Sequence, residues 1–115
     1  MLSAERKERL RRELLEEKAN LEEEIARLTA TSQEATVGLG NHMADDGTAV
    51  FDQATTVSLR RGHQLALEEV DRALQRMANG GYGVCERCGE AIDFARLKAV
   101  PQATLCLSCQ TRAEM

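Results

Sequence analysis

Leucine recurs every seven residues in the first third of the chain, at Leu14, Leu21 and Leu28, with Ile25 between the last two. Around them run Glu and Arg. This spacing places the apolar side chains on one narrow stripe of a helix, at coiled-coil intervals. Ser3 to about Glu34 holds no Gly or Pro and is rich in good helix formers, so the pattern predicts a helix of thirty residues, ~45 Å long. Ser3 is its expected N-cap. A stripe this narrow implies one partner helix, with the Glu and Arg runs as a solvated face. A second seam follows between about Thr48 or Ala49 and Asn79, where His63, Val70 and Met77 alternate with Leu67 and Leu74. Asn79-Gly80-Gly81 is a strong stop signal. Between the seams Gly38, Gly40 and Gly47, with Asn41, Asp45 and Asp46, predict a loop over about 36–50.

Two long helices joined by one loop, each with a single seam, predict an antiparallel coiled-coil hairpin over 1–80. Pairing between chains is the alternative, and the loop glycines favour the hairpin. His42 and His63 are too isolated to mark a site; His63, on the seam, reads as a packed residue.

The last third changes character. Cys85-Glu86-Arg87-Cys88 is followed, after seventeen residues, by Cys106-Leu107-Ser108-Cys109, and these are the only four cysteines. Paired Cys-x-x-Cys motifs at this separation match a four-thiolate zinc site, because each two-residue gap lets one tight turn offer two sulfurs to a tetrahedral ion. Gly83 and Gly89 flank the first pair, where the chain must bend. Two disulfides would need an oxidising compartment, yet the charged start from Met1 to Arg12 carries no apolar signal segment. A thioredoxin-like pair would need a βαβ context. Four protein thiolates close the coordination sphere, so one Zn²⁺ is expected as a structural staple, with redox release as a lesser variant. Ile92, Phe94, Leu97, Val100 and Leu105 form an apolar cluster too thin to fold alone, so the metal must supply much of the stability of 81–115. A short helix over Leu107 to Met115 would carry the last ligand. The fold class is mainly α.

Charge and composition narrow the function. A net charge of −4 and only three aromatic residues (one Tyr, two Phe) disfavour a nucleic-acid-binding module. No apolar run nears the ~20 residues of a membrane helix, so the protein reads as soluble and cytoplasmic. No nucleophile set, phosphate loop or open metal site argues for an enzyme. A hairpin whose loop stands ~40 Å from a metal knot suits delivery of a tip into a partner's cleft.

Gly81-Tyr82-Gly83-Val84-Cys85-Glu86-Arg87-Cys88-Gly89-Glu90, then Ile92, Arg96-Leu97, Ala99, Pro101 and Leu105 to Cys109, resemble the DksA/TraR zinc-finger family of bacteria, closer to its shorter Gram-positive-type members. The resemblance covers about Asn41 to the C-terminus. It implies a transcription regulator that binds RNA polymerase directly without contacting DNA, its coiled coil entering the secondary channel and its tip approaching the catalytic Mg²⁺. The family's tip motif, Asp-x-x-Asp-x-Ala, aligns with Ala49-Val50-Phe51-Asp52-Gln53-Ala54, so Asp52 and Ala54 carry over while Ala49 replaces the first acid. Asp45 or Asp46, within Asn41 to Asp46, could substitute. Taken as residues alone, the favoured reading is plainer: Asp45 or Asp46 N-caps the second helix, and Asp52 suits the positive end of its dipole. Guanosine tetraphosphate, a second input of the family, is held by basic side chains at positions that here are Glu69, Val100 and Gln110; none is basic, so alarmone binding is expected to be weak or absent. The competing reading, from another class, is a zinc-stapled coiled-coil adaptor with no polymerase role.

Overall fold

The computed structural model describes residues 2–39 and 46–115, and the side chains of 2–30 and 53–115. Its elements are α1 (Ala4–Leu39), α2 (Asp46–Asn79), α3 (Phe94–Ala99) and α4 (Leu107–Glu114). Among the described residues the only β pairing is an isolated bridge between Val84 and Ala91. The mainly helical class holds.

Both long helices outrun their expected ends. The glycines predict a loop over about 36–50, yet α1 continues through Gly38 to Leu39 and α2 begins at Asp46, ahead of Gly47. A glycine inside a helix costs about 1 kcal/mol, whereas extending an existing helix adds a hydrogen bond per residue without a new nucleus. One glycine near each end is therefore outweighed. Residues 40–45 lie outside the described residues.

Two compact units form. In the first, residues 19–68, Leu21 and Leu28 of α1 are buried (each 6% exposed), while Ile25, His63 and Leu67 are half-buried. Arg27 hydrogen-bonds Glu24 one turn earlier and holds its carboxyl below the usual range, helped by a weaker pull from His63 of α2.

The second unit joins residues 1–18 and 69–115. Ser3 caps α1 as expected: its Oγ accepts from the Arg6 N–H at 3.2 Å. Leu10 and Leu14 of α1 and Val70, Ala73 and Met77 of α2 are buried, and Lys18 crosses to Asp71 at 2.8 Å. The seam of α2 differs from expectation here: Ala73 is 1% exposed, whereas Leu74 is only half-buried. A methyl side chain at the centre of a helix pair permits close approach, and the longer leucine flanks the seam. Tyr82, Ile92, Leu97 and Ala103 complete the core. Val100, placed in the apolar cluster by its sequence, is 36% exposed, since it caps the C-terminus of α3.

Candidate metal centre

The first cysteine pair sits on a tight turn that follows from its glycines. Gly83 and Gly89 take φ of +85° and +77°, a region open to glycine at little cost. Between them the chain doubles back: the Cys85 N–H donates to the Glu90 carbonyl (2.8 Å), Gly89 to Cys85 (3.0 Å) and Ile92 to Gly83 (2.8 Å). The second pair opens α4. Cys106 is its N-cap residue and Cys109 lies in its first turn, so the short C-terminal helix carries the last sulfur as expected. The positive end of a helix dipole suits thiolates. The Glu86 N–H donates to the Thr104 carbonyl (2.9 Å) and ties the two pairs together.

Four cysteine sulfurs thereby gather within 4.8 Å of one another. Sulfurs about 2.3 Å from a common centre stand about 3.8 Å apart at the corners of a tetrahedron, and Cys88 and Cys106 are separated by 3.8 Å. A disulfide needs about 2.05 Å, and all four cysteines are free. The donor set fits zinc. Cys85 and Cys109 are buried, Cys106 is half-buried and Cys88 exposed. Backbone N–H groups aimed at Cys85, above all that of Cys88, lower its thiol to about 6. Its neighbours push Cys109 up to about 12, chiefly through a hydrogen bond with Cys106 and through burial.

Two arginines brace this turn and the approach to α4: Arg76, which nothing in the sequence pattern singles out, and Arg96, which enters there only as part of the family pattern. Arg76, near the end of α2, donates to the carbonyls of Gly81 (2.8 Å) and Val84 (2.5 Å) and meets Glu86 at 3.5 Å. Arg96 of α3 donates from Nε to the carbonyl of Leu105 at 2.9 Å, the residue before Cys106.

The prokaryotic dksA/traR C4-type zinc-finger model matches residues 80–114. General stress protein 16O of Bacillus subtilis is 39% identical over 116 aligned positions, which cover 98% of this chain and 71% of the relative. The chain belongs to the DksA/TraR zinc-finger family. Its cofactor is accordingly one structural zinc ion, which the four cysteines are positioned to hold. The RNA polymerase-binding transcription factor DksA of Caulobacter vibrioides is 38% identical over 76 residues, 64% of this chain and 54% of that protein. The structure of transcription factor DksA2 from Pseudomonas aeruginosa matches with a TM-score of 0.89 at 27% identity, over 97% of this chain and 85% of the other.

Of the tip residues singled out by sequence, Asp46 opens α2 and Asp52 lies in its second turn, but their side chains, and Asp45 altogether, fall outside the described residues. Ala54 is exposed on α2. Glu69, Val100 and Gln110 come together on one open cavity of about 400 Å³, joined there by Arg72, Arg96 and Glu114. Sequence spacing conceals those two arginines, which reach the cavity from different helices.

Proposed function

We propose that this protein regulates transcription by binding RNA polymerase directly, without contacting DNA. The likeness to the DksA2 transcription factor over 97% of the chain is the observation that carries this reading. Residues 1–80 are the part that reaches the partner, with the paired helices entering the secondary channel, and 81–115 form the zinc staple. Asp52, with Asp45 or Asp46, faces the catalytic metal; a carboxylate near a bound divalent ion perturbs the strongest local charge in such a site. No catalytic role is assigned to the chain itself. Such a protein works where polymerase is, in the cytoplasm; none of its described helices is long and apolar enough to cross a membrane.

Run-off transcription with the host polymerase tests this. The protein changes transcript yield, and Asp52→Asn removes most of that change while leaving polymerase binding intact. An unchanged yield with the native protein would favour the adaptor reading; lost binding in Asp52→Asn would make Asp52 a docking residue.

Alarmone sensitivity is weak or absent in this reading. The cavity of Glu69, Val100 and Gln110 holds Arg72 and Arg96, but Glu69 and Glu114 oppose them and Arg96 already serves the Leu105 carbonyl. A tetraphosphate needs several uncompensated donors. Isothermal calorimetry with the polymerase complex should show no tightening by guanosine tetraphosphate; a clear tightening overturns this point.

A further inference from the structure

We propose that Leu2 and Arg6, at the opposite end of the chain from the cysteines, are positioning residues that set the affinity of the zinc site. Neither lies in the 80–114 segment that the family model matches. The proposal rests on the zinc site and is independent of the polymerase reading.

Each cysteine pair has its own link to α1. The first runs through Gly83, two residues before Cys85. A Cβ placed on Gly83 would meet Leu2 Cδ2 and Leu97 Cδ1, each at 3.8 Å, so both leucines pack onto the bare backbone from which this turn hangs. That backbone is engaged in the turn itself, since the Gly83 carbonyl accepts from Ile92 at 2.8 Å. The second link runs through α3. The Arg6 guanidinium lies 4.3 Å from the centroid of the Phe94 ring, at the first residue of α3. Two residues on, Arg96 holds the Leu105 carbonyl directly before Cys106. Ser3 sets the register of both links, because its cap on the Arg6 N–H fixes where α1 begins, with Leu2 immediately before it.

The turn has no long helix or sheet of its own and α3 is only six residues long, so a metal that ties the two cysteine pairs together adds to their order. Contacts that α1 makes only with the ordered turn and α3 favour the zinc-loaded state, and by reciprocity removing them weakens zinc. Groups that orient ligands without touching the metal change affinity by tenfold or more in other sites.

The test measures zinc affinity of the full chain by competition with a chromogenic chelator. A Leu2→Ser/Arg6→Gln double variant is predicted to bind one zinc roughly tenfold more weakly. Arg9→Gln, whose side chain pairs with Glu13 on the exposed face of α1, should stay within about twofold. The cobalt-substituted double variant should keep the absorption bands of a four-thiolate site, so that the loss lies in positioning and not in the ligand set. In the native protein, hydrogen exchange of the amides from Lys7 to Leu15 should speed up when zinc is stripped. Native affinity in the double variant overturns the proposal. Should that variant fail to fold, the exchange result in the native chain decides, and equal exchange with and without zinc overturns it.

Discussion

Tyr82 shows how much a single residue reports about the metal-bearing unit. It is the only tyrosine in a chain without tryptophan, it is buried, and its hydroxyl donates to the Pro101 carbonyl at 2.8 Å. Burial, reinforced by the charge of Glu13 and opposed by Arg76, pushes its pKa up to about 12. The neutral ring is thus the form the fold prefers. Its contribution to stability is complete below the unfolded value, about 10, and is lost as pH rises through the folded one. Absorbance of tyrosinate should therefore titrate with a midpoint near 12 in the zinc-loaded protein and return to about 10 when the unit is unfolded. A midpoint near 10 in the loaded protein would mean that the ring is wet. Residues of this kind explain what sequence conceals: the four cysteines announce themselves by spacing, but Arg76 and Arg96 bond carbonyls whose positions depend on where a turn runs, and no periodicity encodes that. Leu2 is hidden for the same reason.

At the scale of elements, periodicity recovered both long helices and the buried set Leu14, Leu21, Leu28, Val70 and Met77. It failed at two places for one reason, that composition was read locally while packing is decided across a pair. Gly38 and Gly47 read as loop, yet each falls inside a helix long enough to absorb it. Leu74 reads as seam because it is large and apolar, whereas the seam takes Ala73. This register is testable. Ala73→Leu adds apolar surface but overfills a closed contact, and should lower stability by about 2 kcal/mol. Leu15→Ala, at a position 40% exposed, should cost well under the 2–5 kcal/mol of a buried leucine. Chemical denaturation followed by helical circular dichroism measures both; a stabilising Ala73→Leu would contradict the seam.

For the molecule as a whole, the zinc centre and the family were legible from two cysteine pairs and the residues around them, because ligand chemistry restricts spacing severely. The tip was not, since a carboxylate near a helix start serves as readily to satisfy the dipole as to approach a partner's metal. Everything functional in this account turns on whether the chain engages polymerase. Size-exclusion chromatography of the zinc-loaded protein with the host core enzyme, at micromolar concentrations, measures that without reference to any promoter. Co-elution in a one-to-one complex is the predicted result; a protein that elutes alone at every concentration tried would contradict it.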